Sequence, residues 1–165
     1  MSWIRVLSHP IVALLVIAAS LTIFVETATA AAAYDWPVGG AHEVTRPFDP
    51  PPKPWLAGHR GVDIAGDAGA AVLAAGAGTV AFAGEVAGKP VVSIDHAGVR
   101  TTYEPVVAIV SAGDAVTLGQ PIGTLAGGHP ECAAAACLHW GAKRGERYID
   151  PLSLLKPRRV RLLPL

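Results

Sequence analysis

From Gly61 onward, glycine cuts the chain into short apolar runs, and this spacing limits the fold more than any other feature. The runs "GVDIA", "AAVLAAG", "GTVAFAGEVAG", "PVVSIDHAG" and "VRTTYEPV" follow one another, and then "VAIVSAGDAVTLGQPIGTLAGG" and "CLHWGAKRG". Turn signals recur about every 8–12 residues, the rhythm of an all-β sheet or barrel. No stretch sustains a 3.6-residue apolar period, so long amphipathic helices are excluded. Only "DPLSLL", from Asp150 to Leu155, invites a helical turn, with Asp150 as cap and Pro151 at the first position.

The ends of the chain read differently. Arg5 precedes the uncharged run Ile11 to Val25, and Ala28-Thr29-Ala30 follows as a cleavage pattern. This is the order of a secretory signal peptide over residues 1–30, with the mature start near Ala31. The 15-residue apolar run is shorter than the ~20 residues that span a bilayer. Beyond it, no hydrophobic span remains. Residues 31–57 form a Pro/Gly-rich segment in which Val44 to Phe48 reads as a first strand and "DPPPKP" as extended surface chain. Residues 58–155 carry the β domain and 156–165 a basic tail, either solvated or drawn weakly to an anionic envelope surface. The chain has 13 basic and 13 acidic residues, so it offers no electrostatic case for nucleic acid. The predicted location is secreted or cell envelope.

Cys132 and Cys137 are the only cysteines. Outside the cytosol two cysteines usually pair, which predicts a small disulfide loop over four alanines. Two free thiols and a thiolate metal ligand are the alternatives. A zinc–thiolate site would want more cysteines or closer Cys-x-x-Cys spacing.

His59, Gly61 and Asp63 share one face if residues 59–65 are extended, because alternate side chains on a strand point the same way. Val62 and Ile64 then take the other face. In "CLHWG", Leu138 and Trp140 point to the core, while Cys137, His139 and Gly141 line the opposite face. Two histidines and one carboxylate make a recognisable zinc set with a fourth position for water. The bland alternative is a loop histidine and a turn-capping aspartate. His96 in "IDHAG" reads as a turn residue and His129 in "GGHPEC" as a loop residue.

These runs, in this order, resemble the lysostaphin-type (LytM-like) zinc metallopeptidases over roughly Gly58 to Leu155. The resemblance implies a mostly antiparallel β-sheet core with a groove, and activity on peptidoglycan peptides. The family's metal ligands, from H-x-x-x-D and the second histidine of H-x-H, fall on His59, Asp63 and His139. Two family histidines are absent: Cys137 stands at the first position of H-x-H, and Pro105 stands where Tyr-x-His-Leu would place an imidazole. Glu104, one residue earlier, is the nearest candidate for a replacement base. The resemblance therefore implies either a Zn2+-dependent endopeptidase or a non-catalytic module that binds cell wall or regulates another cell-wall hydrolase. A third class, a lipoyl or biotinyl carrier, is suggested by "VSAGDAVTLGQPIGTL" but lacks a lysine at the hairpin tip, Lys89 lying far from it.

Overall fold

The computed structural model describes residues 34–40, 43–128, 132 and 134–155 of the 165-residue chain. The segment read as a signal peptide, His129 and the basic tail lie outside the described residues. The strands are β1 (Val44–Arg46), β2 (Gly61–Gly66), β3 (Ala71–Leu73), β4 (Gly78–Val86), β5 (Lys89–His96) and β6 (Val99–Glu104). They continue with β7 (Val106–Ala108), β8 (Ala115–Val116), β9 (Pro121–Leu125), β10 (Ala136–Arg144) and β11 (Arg147–Tyr148). A 3-10 turn, Pro151–Leu154, closes the described chain, capped by the Asp150 carboxylate accepting from Leu152 N–H as the sequence predicts.

The fold is all-β, and every pairing is antiparallel. The larger sheet runs β1-β2-β10-β6-β5-β4-β8, with β11 added to β10, and the smaller runs β3-β9-β7. Local turn chemistry sets the longest hairpin: Val86 faces Lys89, and both residues between them, Ala87 and Gly88, have positive φ. That is the two-residue turn whose twist matches the strands it joins.

One face of the larger sheet meets the smaller sheet. Val62 and Ile64, Leu138 and Trp140, Tyr103, and Val92 and Ile94 come from the large sheet, and Val72, Ile122, Leu125 and Val106 from the small one. These side chains are buried, and the alternation read from "GVDIA" and "CLHWG" holds. Burial removes roughly 25 cal/mol of unfavourable hydration per Å² of apolar surface, which commits these alternate positions to one face. The opposite face of β2, β10, β6 and β5 is thereby left for polar groups.

Two expectations need correction. The first strand stops at Arg46 and not at Phe48, since Pro47 has no N–H to give a ladder. His96 is not a turn residue: it ends β5, 6% exposed, with Nδ1 2.8 Å from the Ala77 carbonyl and Nε2 2.8 Å from Thr101 Oγ1. Thr101 Oγ1 lies 2.8 Å from the Tyr103 hydroxyl, which accepts from Ala75 N–H. This buried network ties the β5–β6 hairpin to the segment after β3. Burial holds the His96 imidazole below its ordinary pKa, and burial pushes the Tyr103 phenol up to about 12.

Candidate metal centre

The register of the large sheet assembles the site. Asp63 on β2 is opposite His139 on β10, and His139 is opposite Glu104 on β6. Arg46 on β1 is opposite Asp63. Directly opposed residues on antiparallel strands project to the same face with Cβ atoms about 4.5–5.5 Å apart. Arg46, Asp63, His139 and Glu104 therefore form one row across four neighbouring strands.

His59 joins the row from outside β2. Its backbone makes a two-way bridge with Asp49, at 3.0 and 2.6 Å, which keeps the chain extended into Gly61. Alternation then brings residues 59, 61 and 63 to one face. His59 Nε2 lies 3.0 Å from Asp63 Oδ1 and 3.0 Å from His139 Nδ1, and His139 Nδ1 lies 2.8 Å from Asp63 Oδ1. The two rings meet edge to face with centroids 4.8 Å apart. His59 and Asp63 are buried, at 5% and 1% exposure, and His139 is half-buried.

Three donor atoms at the corners of a nearly equilateral triangle, close to one side of the molecule, suit a cation better than any pattern of hydrogen bonds among themselves. A tetrahedral ion with bonds of about 2.0–2.1 Å spaces its ligand atoms about 3.3–3.4 Å apart, so the observed triangle is slightly contracted. His59 Nδ1 is 2.7 Å from the Pro47 carbonyl. A carbonyl only accepts, so Nδ1 carries the hydrogen and Nε2 of the neutral ring turns its lone pair into the triangle. Backbone carbonyls commonly orient metal-binding imidazoles in this way. The set of two imidazoles and one carboxylate fits zinc, which takes nitrogen and oxygen donors and leaves a fourth position open in reactive sites.

The strands beside the triangle pack closely through glycine. A Cβ on Gly61 would run into the Trp140 carbonyl oxygen and come within 2.7 Å of His139 Nε2. Gly61 pairs with Gly141, whose own Cβ would sit 2.5 Å from Thr102 Oγ1. Two glycines thus let β2, β10 and β6 pack closely, and the places their side chains would take are already filled by the Trp140 carbonyl, the His139 ring and the Thr102 hydroxyl.

The remaining expected site residues are also located. Glu104 is half-buried at the end of β6, on the face of the triangle. Cys137 pairs with Cys132, with sulfurs 2.08 Å apart, and its Sγ is 3.4 Å from Thr45 Oγ1. It is opposite Ala65, two residues further along β2 than Asp63, and it supplies no atom to the triangle. Pro105 follows Glu104 through a cis peptide bond, just past the end of β6. Pro47 and Asp49 were not identified from the sequence, because their contributions are backbone atoms whose partners lie 10 or more residues away.

Comparisons with known proteins agree with this architecture. The chain is 54% identical over 135 residues to an uncharacterised protein of Mycobacterium tuberculosis strain H37Rv, covering 79% of this chain and 54% of that protein. It spans about half the length of the curated relatives it matches. Among solved structures it is similar to Csd3 of Helicobacter pylori, with 27% identity and a TM-score of 0.63 over 80% of this chain and 37% of that one. It is also similar to a zinc-containing peptidase from Vibrio cholerae, with 26% identity and a TM-score of 0.61 over 76% of this chain and 40% of that one. The profile of Peptidase family M23 matches residues 57–151, a span that holds all three corners of the triangle, and the chain belongs to that family.

Proposed function

We propose that this chain is a zinc-dependent endopeptidase of the cell envelope that cleaves peptides of peptidoglycan. The observation that carries the reading is the triangle of His59 Nε2, Asp63 Oδ1 and His139 Nδ1, with edges of 2.8–3.0 Å and one imidazole oriented by the Pro47 carbonyl. Membership of a peptidase family and likeness to a structure described as a zinc-containing peptidase support it. Zinc held by these residues would polarise the scissile carbonyl and acidify the attacking water. Asp63 supplies the negative charge that attracts the cation, and its burial against the core keeps that charge fixed in place. Glu104, next to His139 in the row, accepts the proton of the attacking water. General acid–base help of this kind is worth about 10²–10⁴-fold. A secreted location, after removal of residues 1–30, belongs to the same proposal.

Pro105 and the disulfide-bound Cys137 favour a second reading, a zinc-retaining module that binds cell wall or regulates another hydrolase. Neither residue can move a proton where the family pattern has a histidine. One experiment separates the two. The purified chain is analysed for zinc and incubated with cell walls, and free amines are counted for the parent and for Glu104→Gln. The peptidase reading expects about one zinc per chain, amine release from the parent, and a loss of at least about 10²-fold in Glu104→Gln with zinc retained. A zinc-loaded parent that binds walls but releases no amines above buffer selects the second reading. Equal rates for the parent and Glu104→Gln remove Glu104 from the chemistry.

A further inference from the structure

Trp55 is the most exposed large hydrophobic side chain among the described residues, at 77%. It stands on a loop that is held firmly. Arg60 Nη2 donates to the Pro54 carbonyl at 2.6 Å and to the Leu56 carbonyl at 3.1 Å, on either side of the tryptophan. Leu56 N–H donates to the Lys53 carbonyl at 3.0 Å, and the Lys53 ammonium lies 5.6 Å from the indole. Gly58 packs so closely that a Cβ there would meet Pro51 at 2.7 Å. A mobile loop could fold its indole against the body of the protein. This loop holds it in water, four residues from His59 and so within about 14 Å of it.

Arg60 has a second aromatic partner. Its guanidinium lies 5.7 Å from the ring of Tyr148 on β11. Tyr148 is opposite Lys143, and Lys143 shares a face with His139 and Gly141 by alternation along β10. The Lys143 ammonium is 5.3 Å from the same ring. Lys143 also lines an open cavity of about 410 Å³ with Asp95, Arg100 and Glu146. At this end of the metal face one guanidinium thus orders two exposed aromatic rings, and charged hydrogen-bonding groups line the adjoining hollow.

We propose that Trp55 and Tyr148, ordered by Arg60, form a carbohydrate-binding rim that stacks on the pyranose rings of the glycan carrying the target peptide. This rests on the reading of the chain as a cell-wall peptidase. A pyranose has apolar C–H faces and hydroxyl edges, and it needs flat apolar surface beside fixed polar groups. An extended peptide is recognised chiefly through backbone hydrogen bonds, which two ring faces do not supply. The neutral chain disfavours nucleic acid, the other common partner of exposed aromatic rings.

The test uses co-sedimentation of the full chain with insoluble glycan strands stripped of their peptides, alongside zinc content and cleavage of a glycan-free cross-linked peptide. The parent should bind the stripped glycan. Trp55→Ala and Tyr148→Ala should each weaken that binding about three- to tenfold, with Trp55→Tyr restoring most of it. Both alanine variants should keep full zinc and parental cleavage of the free peptide. The inference is overturned if the parent does not bind stripped glycan, if Trp55→Ala binds as the parent does, or if Trp55→Ala loses glycan binding and free-peptide cleavage equally. A parent that binds stripped glycan yet cleaves nothing leaves the rim standing and removes the peptidase reading. A parent that cleaves walls without binding glycan does the reverse.

Discussion

Gly61→Ala tests the close approach of β2 and β10 on which the whole site depends. The added methyl would meet the Trp140 carbonyl oxygen first, far inside the usual carbon–oxygen limit of about 3.3 Å. His139 Nε2 at 2.7 Å and Cε1 at 2.9 Å come next. The first obstacle is backbone in a paired strand, so no rotamer change relieves it. The strands must part, or His139 must turn. Forcing a methyl into a filled space costs about 1–3 kcal/mol. At about 4 °C per kcal/mol for a domain of this size, Tm should fall by about 4–12 °C. Because the triangle spans both strands, zinc affinity should also fall, by about 10–100-fold, as it does when the support of a metal ligand is disturbed. Gly141→Ala is the control. Its methyl meets the Thr102 hydroxyl at 2.5 Å, and after that nothing closer than 3.5 Å. Thr102→Ala should therefore rescue Gly141→Ala and leave Gly61→Ala unrescued. Calorimetry and competitive zinc chelation read both quantities. A Gly61→Ala protein within 1 °C of the parent, taking about 1 °C as the resolution of the scan, and binding zinc as tightly would refute the reasoning.

Three further outcomes follow from the structure. His139→Ala should lose most bound zinc on metal analysis while keeping the fold, and full retention of zinc would show that His139 is not a ligand. Non-reducing mass spectrometry should show no labelled thiol and a loss of two hydrogens, and reduction of the loop closed by Cys132 and Cys137, five residues apart, should cost about 2 kcal/mol in denaturant titration. Tyr103 should ionise well above the ordinary phenol range in an alkaline absorbance titration. Its folded pKa, raised by burial from 10.0 to about 12, gives stability that is fully present below pH 10 and is lost as pH rises toward 12, so unfolding should ease across that window.

The sequence made legible what depends on neighbours along the chain. Period-two alternation placed His59 beside Asp63 and set Leu138 and Trp140 against His139, because the pleat fixes side-chain direction locally. The Asp150 cap and the pairing of Cys132 with Cys137 are likewise local. Register is not local. Nothing in "GVDIA" or "CLHWG" states that Asp63 faces His139 and not Gly141, since that is decided by how both sheets share the core. The same limit explains His96. "IDHAG" has a turn's composition, but the imidazole is claimed by Ala77 and by Thr101 across the hairpin. The Pro47 carbonyl could not be read at all, because any residue type supplies a carbonyl.

The two departures from the family pattern bear on hydrolysis and not on metal binding. The triangle is fixed by the β2–β10 register, the Asp49–His59 bridge and the Pro47 carbonyl, and none of these uses the side chain of residue 105 or residue 137. Cys137 is held in a disulfide and sits two pairs beyond Asp63 along the strands, so its lack of proton chemistry leaves the triangle undisturbed. On the proposed reading, metal binding is therefore no measure of turnover, and the two should be separable by substitution. Any proton acceptor has to stand on the face of the triangle within reach of its open side. Glu104 shares that face through its register with His139, which would hold whatever residue followed it, and on the proposed reading it is the acceptor. Substitution at position 104 should therefore remove turnover and spare zinc, whereas substitution at 59, 63 or 139 should remove both together.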